Sequence, residues 1–214
     1  MKKTILKTAI ITVLSLIAAA IVTYSLIVII SPKTMGKIYY DLGAKSKAVE
    51  LYEKQYNTKG ETFDDLKDLM DILISTDDDV NINKYGLTFV ADNKSELKRL
   101  SDKEQNEGGR SLYDYYSIRA VEAALSLGFK GQAAEVAFCS TDNYNEDCSL
   151  YYVVRLAFDN NDERLAVCIY ARYVSPKYES TIKSGENELN NDIQNLVDKF
   201  NIKADESVIT NTND

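Results

Sequence analysis

The chain of 214 residues contains 0 His. That absence removes the Ser-His-Asp and Cys-His arrangements and every histidine metal ligand. It also removes the side chain best suited to proton transfer near neutral pH, so acid–base chemistry would rest on carboxylates alone. Proline and glycine are scarce, 2 and 9 residues, which leaves little turn chemistry for a strand-rich architecture. The three cysteines, Cys139, Cys148 and Cys168, form no C-x-x-C pair, so a zinc knuckle or thioredoxin-type site has no support. Cys139 and Cys148 flank STDNYNED and would close a small disulfide in an oxidising compartment. The alternative is three small buried thiols on helix faces. Basic residues are outnumbered, giving a net charge of −8. That balance speaks against nucleic acid, whose binders carry basic patches, and against lying flat on anionic lipid. No metal, cofactor or catalytic residue is expected from these patterns.

What is present begins at the N-terminus. From Thr8 to Ile30 the chain has no charge, and about 23 apolar residues suffice to cross a hydrocarbon layer as a helix. A cleaved signal peptide is the competing reading, with Lys2, Lys3 and Lys7 as its basic start and Ala18-Ala19-Ala20 as its cleavage site. The run is too long for a signal core of about 7–15 residues, so an uncleaved anchor is expected at 8–30 after a basic tail at 1–7. The basic start favours a cytoplasmic N-terminus and an outer domain, although Lys33, Lys37, Lys45 and Lys47 follow closely. Abundant Asn, Lys, Ile and Tyr with no Trp fit an AT-rich bacterial genome.

Beyond Ser31-Pro32, which ends or kinks the anchor, the pattern is helical. TMGKIYYDLGAKSKAVELYEKQYN contains Gly36, Tyr39, Gly43, Ala48 and Tyr52. These residues resemble a tetratricopeptide repeat: a small residue where two helices cross, an aromatic, a turn glycine, then Ala and an aromatic on the second helix. Small residues let antiparallel helices approach, and aromatics fill the space between pairs. A step of about 34 residues from Gly43 reaches Asp77, with Ile82 where Ala would stand. Gly128 with Ala133 and Ala137, and Asn161 with Ala166 and Tyr170, keep the same spacing. The polar stretch at about 92–110 absorbs the excess as an insertion or an extra helix and loop. Together with the apolar run at 8–30, the resemblance implies an all-α chain: one transmembrane helix, then a degenerate tetratricopeptide-like α-solenoid of helix pairs over 33–174. Ile182, Leu189, Ile193, Leu196, Val197 and Phe200 give one dry face, predicting a capping helix over 178–200 and a polar tail over 201–214.

Several short motifs carry less. Asp77-Asp78-Asp79 with Asn81 and Asn83 looks like a calcium loop but lacks the turn glycine and closing glutamate, and helix capping accounts for it. Gly108-Gly109 is followed by no G-K-[ST]. The doublets Tyr39-Tyr40, Tyr115-Tyr116 and Tyr151-Tyr152 fit either packing between repeats or a ligand groove.

The resemblance implies partner binding by the first helix of each pair, on the concave side. Counting back from the turns gives Lys37 and Tyr40, Asp71 and Ile74, then Tyr115, Ile118, Glu122 and Leu125, then Tyr151, Arg155 and Phe158. This mixture of aromatics and single charges suits a protein or peptide segment, with no small-molecule substrate expected. Arg155 stands out, because a guanidinium grips a carboxylate and stacks on a ring such as Tyr151. The expectation is a membrane-anchored, non-enzymatic scaffold. The alternatives are an accessory subunit acting through its membrane helix, with the small patch Ala18-Ala19-Ala20 as contact, and a carboxylate-based enzyme.

Overall fold

The structure is a computed structural model and describes residues 2–59, 62–101, 111–140, 143–179, 182 and 186–203. Gly108-Gly109, the part of the insertion at 102–110 and most of the polar tail lie outside the described residues. Among the described residues every regular element is helical. The chain divides into two compact units, Met1–Ile72 and Leu73–Asp214.

The first unit begins with α1 (Lys2–Ile30). Its stretch Ile10–Ile30 is long and apolar enough to cross a membrane, and 0% of it is buried by the rest of the chain. One residue later α2 (Pro32–Asp41) starts with proline in its first turn, where the missing N–H costs no hydrogen bond. Then come α3 (Lys45–Lys59) and most of α4 (Phe63–Ser75). α2 and α3 meet at Gly36: a Cβ there would lie 2.8 Å from the Tyr52 ring and 3.4 Å from the Ala48 carbonyl oxygen. Ala48 is fully buried at this contact. Lys33 of α2 pairs with Asp68 of α4.

The second unit contains α5 (Asp79–Asp92), α6 (Lys94–Ser101), α7 (Leu112–Ser126), α8 (Lys130–Ser140), α9 (Ser149–Asp159) and α10 (Glu163–Tyr173). A 3-10 turn, Pro176–Tyr178, precedes α11 (Glu186–Phe200). α5 packs on α7 and α8; α8 also packs on α7, α9 and α10; α10 packs on α9 and α11. Phe89 and Tyr116 meet edge to face at 5.0 Å in the core. Ala133, Phe138, Leu150, Leu165, Ala166, Ile169 and Leu189 are fully buried. A Cβ on Gly86 would lie 2.7 Å from that of Ala120, so α5 and α7 touch there without intervening side chains.

The turn between the helices of each pair has one geometry. Gly43, Asp77, Gly128 and Asn161 all have positive φ, at 78°, 51°, 83° and 52°. At each, its own N–H donates three residues back, to Tyr40, Ile74, Leu125 or Phe158. The next N–H donates to Tyr39, Leu73, Ala124 or Ala157. This is the Schellman arrangement, which satisfies the last carbonyls of a helix and reverses the chain. Nothing lies within 4 Å of a Cβ built on Gly43 or Gly128, so glycine is suited there by its dihedral and not by crowding. Asn201, just past α11, has φ 51°, and the Ile202 N–H donates to Val197 in the same way.

Candidate interaction surface

Of the residues expected on the concave face, Lys37, Tyr40 and Asp71 belong to the first unit and those from Ile74 onward to the second. Lys37 is exposed and Tyr40 half-buried. Asp71 takes an ion pair at 3.0 Å from Lys67, one turn before it on α4. Ile74 and Leu125 are half-buried. Ile118, expected on the open face, is instead a core residue, 5% exposed. α7 is packed by α5, α6, α8 and α9, so it buries more than one stripe.

Polar contacts join α7 to α9. Arg119 of α7 donates at 2.8 Å to Glu122 on its own helix and at 3.3 Å to Asp77, the left-handed residue of the preceding turn. The Tyr152 hydroxyl of α9 donates to the other Glu122 oxygen at 3.3 Å. Tyr115 is half-buried at the N-terminal part of the same helix, its ring 5.3 Å from that of Tyr116.

A second group joins α9 to α11. The Arg155 guanidinium lies 4.8 Å over the Tyr151 ring, as the sequence suggests. The carboxylate it holds is the chain's own Asp192, at 3.3 Å. The buried Asp192 also accepts from the Tyr144 hydroxyl at 2.7 Å. Burial first, then the hydrogen bond to Asp192, pushes the Tyr144 phenol far up, so it stays a donor. Phe158, the last residue of the expected set, is half-buried, with the Lys199 ammonium of α11 5.1 Å from its ring centre. The expected surface on α9 is thus partly occupied by α11.

A third group was not foreseen. Glu135 of α8 accepts from Arg172 of α10 at 3.3 Å and from Lys177 beyond it. Burial raises the Glu135 carboxyl, but hydrogen bonds from Lys177 and Tyr178 and the charges of Lys177 and Arg172 outweigh it and hold the group below its ordinary value. Cys139, one turn on, donates weakly to Tyr178 at 3.7 Å and Glu135 at 3.9 Å. Burial pushes its thiol up, which disfavours the thiolate that nucleophilic chemistry needs. Cys139, Cys148 and Cys168 are all free thiols. The Cys148 sulfur caps α9, accepting from the Tyr151 N–H at 3.3 Å. Among the acidic turns, Asp78 caps α5 by accepting from the Asn81 N–H, and Asp162 caps α10 by accepting from the Leu165 N–H.

No known protein family, curated protein or solved structure matches the chain.

Proposed function

We propose that this chain is a non-enzymatic, membrane-anchored adaptor. Its second unit is read as a degenerate tetratricopeptide-like α-solenoid that holds a protein or peptide partner on the face of α7 and α9. The observation that carries the reading is the shared turn: Gly43, Asp77, Gly128 and Asn161 take one conformation with one pair of hydrogen bonds. The packing in the second unit supports it, since α7 packs on α8 and α9 on α10, and each of these pairs packs on the next, as in stacked pairs. On this reading α11 is the terminal cap, with Leu189, Ile193 and Leu196 inward. The carboxylates of Glu122, Glu135, Asp162 and Asp192 are each held by cations, phenols or backbone N–H groups. That favours a binding role over carboxylate catalysis. The uncovered run Ile10–Ile30 is the anchor, with the N-terminus cytoplasmic and the chain beyond α1 outside.

The test places a photoreactive side chain at Tyr115 on α7, at Arg164 on α10 or at Ala18 in α1, in the full chain in intact membranes. A discrete adduct from Tyr115 but not from Arg164 supports the α7–α9 face. Adducts from Arg164 alone overturn that face. Adducts from Ala18 alone make the chain an accessory subunit acting through its membrane helix.

A further inference from the structure

We propose that α2 lies in the membrane interface with Ile38 and Leu42 buried in lipid, so that the first unit is held at the bilayer by a second contact. The inference rests on α1 crossing the membrane. The hydroxyls of Tyr24 in α1 and Tyr39 in α2 are hydrogen-bonded. Tyr24 lies six residues before the end of α1, about 9 Å of helix, and Tyr39 seven residues past the start of α2, about 10 Å. Phenols that far from the joint at Ser31 meet only if α2 turns across or back beside the last turns of α1. A helix continuing outward would carry Tyr39 away. Lys47 of α3 is within electrostatic reach of both phenols and forms an ion pair with Glu50. α2 is therefore level with the end of the apolar run, where the surrounding medium is the boundary between acyl chains and headgroups. Tyrosine is enriched at that depth.

The sides of α2 fit that medium. Gly36 packs on Tyr52 and Ala48 of α3, and Tyr39 reaches α1. Ile38 and Leu42, one turn apart, remain 45% and 76% exposed, and Leu42 is more open than Leu16 of the apolar run at 66%. Thr34, Lys37 and Asp41, at helical spacing on another side, are exposed and polar. An apolar side beside a polar one, without a long hydrophobic run, is how a helix lies in an interface. Lys37 and Lys45 have no carboxylate partner among the described residues, which suits them to lipid phosphates. Two apolar residues are too small a patch for a stable protein interface, whereas lipid is present at this depth once α1 is inserted. The net charge of −8 opposes broad contact with anionic lipid, so the contact is local and apolar and forms on zwitterionic lipid.

The chain has 0 Trp, so single tryptophan substitutions report depth. The full chain is reconstituted into phosphatidylcholine vesicles carrying bromines either near the headgroup or near the chain ends. The Ile17→Trp variant, mid-span, is expected to lose emission mainly to the deep bromines. The Leu42→Trp variant is expected to shift to the blue and lose emission mainly to the shallow bromines. The Asn57→Trp variant, exposed at the far end of α3, is expected to be unaffected. Leu42→Trp unquenched while Ile17→Trp is quenched overturns the interfacial contact and leaves the anchor standing. A blue shift without quenching means that protein covers the patch, and also overturns it. Quenching of Asn57→Trp as strong as that of Leu42→Trp means a flat collapse onto lipid, again against the proposal. Ile17→Trp unquenched overturns the membrane crossing itself.

Discussion

Arg155 and Asp192 face each other between α9 and α11, guanidinium nitrogen to carboxylate oxygen at 3.3 Å. The cation is 44% exposed at its side chain and the anion 10%. The two ends of the pair therefore differ in energy. Removing the carboxylate strands the Tyr144 hydroxyl, which donates to it at 2.7 Å. An orphaned buried donor costs about 1–3 kcal/mol. Asp192→Ala is predicted to cost that much. Arg155→Ala removes an exposed ion-pair member and is predicted to cost about 0–1 kcal/mol. Thermal melts of both variants and of the double variant check this. Arg155→Ala as costly as Asp192→Ala would refute it.

Gly128 has φ of 83° and open space where a Cβ would go. Only the backbone term therefore opposes a side chain. Gly128→Val places a β-branched residue in the left-handed region and is predicted to cost about 1–3 kcal/mol. Gly128→Asn is predicted to cost clearly less, because Asn tolerates that region and already occupies it at Asn161. Equal losses in denaturant midpoint for the two variants would point to crowding instead of dihedral strain.

Two carboxylates of the second unit contribute stability that depends on pH. Burial raises Asp162, but the Lys130 hydrogen bond, the Leu165 N–H and the Lys130 charge outweigh it, so its folded value is lowered. Glu135 is lowered for like reasons. A lowered folded value means the unfolded state binds protons first as pH falls. The stabilisation is present above the ordinary carboxylate range of about 4 and is lost below it, through the lowered folded values. Glu135→Gln and Asp162→Asn are predicted to be less stable than the parent at neutral pH and to converge on it in acid. Denaturant midpoints across that range check the sign; a gap that widens in acid would contradict it.

The turns were legible in the sequence because positive φ is a local demand that Gly, Asn and Asp meet. That is why Gly43, Asp77, Gly128 and Asn161 mark it even where the rest of the repeat pattern fades. At the second turn Ile82 stands in the small position, and it is fully buried. The close approach on that helix falls one turn later, at Gly86, against Ala120. The polar groups were not legible. Arg155 and Asp192 are 37 residues apart, and Lys177 and Glu135 are 42 apart. No spacing rule within one helix encodes such pairs. Ile118 was misplaced because a helix packed by several neighbours buries side chains that a one-sided count leaves outside.

The proposed anchor gives a prediction on topology. Lys2, Lys3 and Lys7 precede the uncharged run, and short basic tails stay in the cytoplasm. Protease added to intact cells, with any wall opened, is expected to remove the chain beyond α2 and leave α1 protected. Digestion only after lysis would reverse the orientation.

The contact of Gly86 with Ala120 makes the last prediction, because two effects oppose each other there. Replacing a helical Gly by Ala is favourable by about 0.8–1 kcal/mol from propensity alone. At Gly86 the added Cβ would lie 2.7 Å from the Cβ of Ala120, far inside ordinary contact. That neighbour is fixed to the α7 backbone and cannot rotate aside. The helices must separate, and overpacking of this kind costs about 1–3 kcal/mol. Gly86→Ala is therefore predicted to destabilise despite the propensity gain. A double variant, Gly86→Ala with Ala120→Gly, exchanges the methyl between helices and restores the room. It is predicted to recover part of the loss, limited by the propensity penalty of a glycine at position 120. A rise in melting temperature for Gly86→Ala alone would mean that α5 and α7 are not in contact at this point.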